Sequence, residues 1–506
     1  MIRSGRQLNL VAILGCIPVS LSIQMADTPL TWLLYVAVFF TFIEATPRTA
    51  FLRGVMIGSV TAVINFSWLF SSAGRFTGTG LLFGLLAIGG LALFFALYCG
   101  GIAWLYARLK CRGSSIRTGL VNATLIASLW VFLDGFMIYV AKSFALALFV
   151  TYVAVGDNIF ALQPATVLGP LVITFVIVFV NAALAHILYY RLWRFVFFPP
   201  LFIAVYLGWG WLLLARFEQR QPTGSPPPFR AAIIAENINP EFKWAYGNTN
   251  SFAERMFLLN VQVAKAKANL AVWSESAIPW NYAPGDDFLN EIDKITGPSG
   301  VTHLTGINTD YRGSTFYNSV YCIKPGNTVA GRYDKRLALS LIEKPFCGML
   351  LPFFNSTGFR VKEGITDQPL ITGYGKAGIV LCNESSVPEP AYASVRAGAT
   401  FLVNPGNDGW FTDSYIPKQH FFHARLRAIE TRRDIILNSN LGYSGLVQAS
   451  GRIVFREKTD QPYVETLLVR NHEGLTPAVA YPYLMLVIAA LAFTTVLVYR
   501  YRTLNT

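Results

Sequence analysis

PATVLGPLVITFVIVFVNAALAHIL, residues 164–188, holds no Lys, Arg, Asp or Glu. A helix needs about 20 such residues to cross the hydrocarbon core of a bilayer. Outward from it, similar runs occupy about 8–26, 30–45, 51–70, 81–107, 121–141 and 195–215, with an isolated one at about 480–499. Residues 1–215 carry only 16 charged side chains, 12 basic and 4 acidic, or about 7%, whereas the other 291 residues carry 53, about 18%. With 53% hydrophobic residues and a mean hydropathy of +0.44, one water-soluble globule is excluded. Disorder and collagen-like repeats are excluded too, since both need fewer large apolar residues. The pattern predicts seven membrane spans, a soluble part, and one last span. The net charge of +13 does not point to nucleic acid, because +8 of it lies in the apolar part.

That basic excess sets orientation. Arg3, Arg6, Arg48, Arg53, Arg108, Lys110, Arg112, Arg117, Arg191, Arg194, Arg500 and Arg502 fall on one side of the predicted spans, and only Arg75 and Lys142 on the other. Lys and Arg concentrate in cytoplasmic loops, so both termini are expected in the cytoplasm and residues 216–479 on the far face, the periplasm of a bacterium with two membranes. The first run lacks a small-x-small cleavage site and is read as an uncleaved helix. Asp134, in LWVFLDGF, is a carboxylate at membrane depth, where such groups are costly. A functional role and a polar contact between helices both stay open for it. Small residues in GVMIGS and GLLAIGG point to close helix approach.

SPPPF at 225–229 reads as a stiff linker, giving a division into a bundle (1–215), linker (216–229), soluble domain (230–472) and last span with tail (473–506). The soluble part alternates strand-like runs (231–235, 270–273, 303–307, 319–323, 378–382, 400–404, 435–439, 464–469) with helical stretches at 251–268 and 417–433, and VQASGRIVF (447–455) reads as a hairpin. Three polar residues end strand-like runs: Glu275 in VWSESAIP, Lys335 in GRYDKR and Cys382 in GIVLCNESS. Alone, a Cys there is commonly a small buried hydrophobe. Together the three supply a thiol nucleophile, a carboxylate for its proton and an ammonium for an oxyanion.

Carried by VWSESAIP, YDKR and LCNE in that order, the chain resembles the nitrilase superfamily, and within it the apolipoprotein N-acyltransferases of bacterial membranes. YNS (317–319), NDGWF (407–411), HARLRAIETRR (423–433), NSNLGYSG (438–445), TPRTAFLRGVMIGSV and LWVFLDG match as well. The resemblance implies an α-β-β-α sandwich on a membrane helix bundle. It also implies a ping-pong acyl transfer, with no cofactor, from a phospholipid through a Cys382 thioester to the N-terminal amine of a diacylglyceryl-cysteine apolipoprotein. Glu275 would be the base. Lys335 and the backbone N–H of Asn383 would hold the oxyanion. Glu343 would orient Lys335, and Glu384, Trp244 and Trp410 would line the pocket. A monomer is expected. A membrane-tethered amidase acting on a small amide is the alternative, and a catalytically silent scaffold the third reading.

The chain departs from the family pattern in three places. K-R-x-L-V-P-F-G-E is KRLALSLIE (335–343), C-Y-E is C-N-E (382–384), and Q-G-N is AEN (235–237), with Lys243–Trp244 retained. The apolar run in KRLALSLIE, with Leu339 and Leu341, is expected to be a lipid-facing arm beside Cys382, against the alternative that it fills the core. No CxxC pair implies zinc, and His420 and His423 are read as surface or core residues rather than ligands. A Cys322–Cys347 disulfide is an open option. Asn407–Asp408–Gly409 is a turn or a substrate contact, and Arg425, Arg427, Arg432 and Arg433 are expected on a solvated or salt-bridged helix face.

Overall fold

The computed structural model describes residues 5–25, 29–70, 80–144, 149–219, 227–243, 249–340, 342–345, 348–349, 360–411 and 414–505. Among these, seven helices are long and apolar enough to cross a membrane. They are Gly5–Met25, Pro47–Phe66, Leu81–Leu109, Ile116–Gly135 (running on in a π-helical turn to Val140), Leu171–Tyr189, Phe198–Gln219 and Leu484–Asn505. Thr46 and Ser115 cap their helices by accepting the N–H of Thr49 and Thr118.

The second expected span differs in form. It is a 3-10 turn, Pro29–Trp32, and a helix of five residues, Val36–Phe40. It still crosses the bundle. Arg53 Nε donates to Asn9 Oδ1 (3.0 Å) near the start of both flanking helices, and Gln24 donates to the Ile64 carbonyl (3.2 Å) near the end of both. The flanking helices therefore run parallel, and the chain between them has to return the full distance. The carbonyls at the end of this segment have no helix beyond them to supply donors. Lys110 Nζ takes three, on Phe42, Ile43 and Ala45, at 2.8, 2.6 and 2.9 Å. The expected close approach is present at Gly58, where a Cβ would lie 2.1 Å from the Phe95 carbonyl oxygen.

The second part holds two sheets. In the first, β1 (Phe229–Ala235) pairs with β11 (Tyr463–Val469) and, in parallel, with β2 (Leu270–Val272). Beside β2 runs β3 (Thr302–Arg312), followed by β4 (Ser319–Lys324) and β5 (Thr328–Asp334). In the second sheet β6 (Lys376–Ile379), β7 (Phe401–Asn407) and β8 (Ile435–Asn440) are parallel, and the expected hairpin follows as β9 (Ser444–Val447) and β10 (Ile453–Glu457). Ile233, Val272 and Leu304 of one sheet meet Ile379, Val403 and Ile436 of the other in a shared core. Helices Thr249–Lys265 and Asp287–Thr296 cover the first sheet through Phe252, Met256 and Phe288. Pro388–Arg396 and Ile416–Thr431 cover the second through Tyr392, Phe421 and Ala424. The α-β-β-α sandwich on a multi-pass bundle is the expected architecture.

Helix Ile416–Thr431 is also the joint between the two parts. Its Phe422, Leu426 and Ile429 pack in the same apolar cluster as the membrane helices. Of the two expectations for the arginines, solvated or salt-bridged, the solvated one fails, since all four are buried, and the salt-bridged one holds for Arg425 and Arg427. Arg425 pairs with Asp157 Oδ1 (2.7 Å), Arg427 with Glu430 (2.9 Å), and Arg432 donates to Gln163 Oε1 (2.8 Å). Arg433 donates to the carbonyls of Ala399 and Gly474. Cys322 is a free, buried thiol, so the disulfide option drops; Cys347 lies outside the described residues.

Candidate active site

Strand ends build the site. β2 runs into Trp273–Ser276, and Ser276 sits at φ +44°. The strand Thr328–Asp334 hands over to Lys335, whose N–H donates to the Asn318 carbonyl (2.8 Å). The strand Lys376–Ile379 leads to the 3-10 turn Cys382–Ser386, with Cys382 itself at φ +52°. A left-handed non-glycine residue costs about 1–3 kcal/mol and persists where surrounding structure enforces it. The enforcing group is Glu384. It is fully buried and accepts from the N–H of Leu381 (2.7 Å), Arg336 (2.7 Å) and Leu337 (3.0 Å) and from the Tyr333 hydroxyl (2.8 Å). Glu384 thus stands behind the site, tying the Cys382 turn to the Lys335 loop, rather than lining a pocket as expected.

In front of that brace, Lys335 Nζ lies 3.1 Å from Glu275 Oε1 and 2.8 Å from Glu343 Oε1. Asn318 Nδ2 donates to Glu275 Oε1 (2.8 Å), and the N–H of Leu339 to Glu343 Oε2 (2.7 Å). Burial works against the Lys335 charge, but Glu275 and Glu343 outweigh it and hold the ammonium well above its ordinary value. Burial pushes the Cys382 thiol up, and Glu275 pushes it further, while Lys335 and the Asn407 N–H pull it down; the net direction is well up. The thiol therefore rests protonated. It becomes a nucleophile only as a base takes its proton.

The other expected residues fall less evenly. Trp244 and Leu341 lie outside the described residues. Asn383 is buried, its Nδ2 donating to the Leu337 carbonyl (3.1 Å). Trp410 is half-buried in the turn Asp408–Trp410. The KRLALSLIE segment is neither a free arm nor plain core. Leu337 joins the apolar cluster of the membrane helices, and the Ser340 N–H donates to the Ser143 carbonyl (2.8 Å), so this end is docked on the bundle. Leu339 is half-buried and Ile342 is 36% exposed. Asp134 accepts from the Thr174 hydroxyl (2.7 Å) and the Thr151 N–H (2.9 Å), on the wall of a bundle cavity of about 70 Å3. Both bonds are polar contacts between bundle segments. Two participants had no role assigned from sequence: Asn318, within YNS, and His420, whose Nδ1 lies 2.6 Å from Asp408 Oδ1.

A buried Glu–Lys–Cys set on a two-sheet sandwich, mounted on apolar helices, defines a membrane-bound protein of carbon–nitrogen hydrolase type. Comparison with known proteins agrees. The carbon-nitrogen hydrolase family model matches residues 230–454, and the apolipoprotein N-acyltransferase N-terminal domain model matches residues 17–183. An apolipoprotein N-acyltransferase of Azotobacter vinelandii is 29% identical over 86% of this chain and 83% of its own. One from Geobacter metallireducens is 26% identical over 88% and 86%. Among solved structures, Nit3 of Saccharomyces cerevisiae aligns with a TM-score of 0.39 at 16% identity, over 52% of this chain and 96% of its own. Over most of its length the chain is thus similar to apolipoprotein N-acyltransferases, with the carbon-nitrogen hydrolase match in its second part.

Proposed function

We propose that this enzyme moves a fatty acyl chain from a membrane phospholipid to the N-terminal amine of a diacylglyceryl-cysteine apolipoprotein, through a thioester on Cys382. Glu275 takes the thiol proton as sulfur attacks the ester carbonyl and gives it to the leaving glyceryl oxygen. The Lys335 ammonium and the backbone N–H of Asn383 hold the tetrahedral oxyanion. Glu343 positions Lys335, with its other oxygen anchored on the Leu339 N–H. The amine then attacks the thioester. The single observation that carries the reading is the buried Lys335 clamped between the carboxylates of Glu275 and Glu343 and coupled to the Cys382 thiol. A site mounted on the bundle through Leu337 and Ser340 gives a lipid donor a reason to be the substrate. The loop bias of Lys and Arg supports a periplasmic catalytic domain with both termini in the cytoplasm. The test is a mass spectrum of purified protein after incubation with phospholipid vesicles. An acyl adduct on Cys382, absent in Cys382→Ala and at most a trace in Cys382→Ser, is the expected result. Normal adduct or turnover in Cys382→Ala refutes the nucleophile assignment.

A further inference from the structure

Proton balance in the second half-reaction demands one group more than the three described so far. An α-amine titrates at about 7.7–8.0, so near neutral pH the acceptor arrives mainly as an ammonium with three N–H bonds. The amide product keeps one. As the N–C bond forms and the C–S bond breaks, two protons leave nitrogen. One returns to the Cys382 sulfur by way of Glu275. The other is surplus on every turnover and has to leave a site kept poor in water.

We infer that Asp408 and His420 form the relay that takes this surplus proton from the acceptor ammonium to solvent, an inference that rests on the acyl-transfer reading above. The strand Phe401–Asn407 delivers Asp408 to the right place, and the helix Ile416–Thr431 brings His420 to it. The Gly406 carbonyl accepts the Glu275 N–H (3.3 Å), the Asn407 N–H is directed at the Cys382 sulfur, and Asp408 is the next residue. Asp408 is buried, with the Ser439 hydroxyl on Oδ2 (2.8 Å) and His420 Nδ1 on Oδ1 (2.6 Å). A carboxylate fixing Nδ1–H leaves Nε2 as the basic nitrogen; Nε2 takes the surplus proton, and Asp408 steadies the imidazolium until Nε2 sheds it. The His420 side chain keeps 11% of its surface exposed while Asp408 keeps 2%, so the proton leaves from the imidazole rather than from the carboxylate. Cys382 is coupled to Asp408, and His423, one turn along the helix, to His420. Burial first, then Arg427 and His420, push the His423 imidazolium well below its usual range, so His423 stays neutral and does not compete. Phe411 lies edge-on to the His420 ring (centroids 6.2 Å apart) and meets Trp68 of the bundle in turn (5.7 Å).

The experiment uses the full-length protein in phospholipid–detergent micelles and follows the two half-reactions separately in His420→Gln and Asp408→Asn. Acyl-enzyme formation, read by mass spectrometry, is expected within about threefold of the parent. Transfer to a diacylglyceryl-cysteine peptide at pH 7 is expected to fall by about 10²-fold, the lower range for a lost acid–base group. That loss should shrink as pH rises and the peptide amine reaches the site already neutral. Hydroxylamine, already neutral at pH 7, leaves no surplus proton, so transfer to it should be spared. Free imidazole should restore part of the peptide transfer in His420→Ala. Equal losses with peptide and hydroxylamine, or a loss constant across pH, would overturn the relay and make the pair a structural latch. A parent that forms no acyl-enzyme at all would instead overturn the acyl-transfer reading, and the relay with it.

Discussion

Replacing Lys335 with methionine keeps the length of the side chain and removes its charge, leaving the carboxylates of Glu275 and Glu343 facing each other where the ammonium had been 3.1 and 2.8 Å away. Deleting one partner of a buried ion pair costs about 3–5 kcal/mol. Here one of the two carboxyls can relieve the repulsion by binding a proton, so the lower figure, about 3 kcal/mol, applies near neutral pH. The carboxyl that takes the proton has its folded-state value raised above the unfolded one, near 4.3 for Glu. Its contribution to stability is therefore fully present below that unfolded value and is lost as pH rises through the folded one. The gap in melting temperature between parent and Lys335→Met should be wider at pH 8 than at pH 5. Acylation of Cys382 should fall by at least about 10²–10³, the effect of losing a single neutral oxyanion donor. Thermal unfolding in detergent at the two pH values, together with single-turnover mass spectrometry, measures both. A stability gap independent of pH would show that the carboxylates are not coupled through Lys335. Acylation within tenfold of the parent would show that its charge does not stabilise the oxyanion.

Three further outcomes follow from the geometry. A cysteine introduced at the exposed Gly285 should react with a membrane-impermeant thiol reagent added outside intact cells while one at Thr503 should not; the reverse pattern refutes the orientation. Leu339→Ser should slow transfer from a membrane phospholipid while sparing a short water-soluble thioester, because Leu339 is half-buried beside the docked end of its segment; equal loss on both, with a lower melting temperature, returns it to the core. Arg427→Met should destabilise by about 3–5 kcal/mol by leaving the Glu430 carboxylate buried and unpaired, whereas Arg427→Met combined with Glu430→Leu should recover much of that loss. An additive double variant, measured by thermal unfolding, would show that the two side chains act independently.

Glu275 and Cys382 are legible in the sequence because each is the first strong polar departure after an apolar strand, and parallel strands gather such positions at one end of a sheet; Lys335 follows the polar, antiparallel strand TVAGRYD and is legible only through the YDKR motif. Glu343 is legible through its spacing from Lys335. Trouble begins where a residue answers to a partner far along the chain. Arg425, Arg427, Arg432 and Arg433 crowd one helix, and by composition alone such a face belongs to water. In the structure two of them are satisfied by Asp157 and Gln163, which sit 268 and 269 residues earlier in the short segments between the membrane spans. The same distance hides the docking of Ser340 on Ser143, 197 residues away. An apolar run reads alike whether lipid, core or bundle covers it. These failures have one physical origin. Charge density predicts solvation for a helix with a single covered face, but Ile416–Thr431 is covered on one side by a sheet and on the other by a membrane bundle. At such a joint the ends of neighbouring elements leave carbonyls and carboxylates unpaired, and burying them demands donors. Arginine supplies five on a stem long enough to span the gap. The charge that looked like a signal of exposure is therefore what the joint requires, and it places the helix carrying His420 between the bundle and the nucleophile.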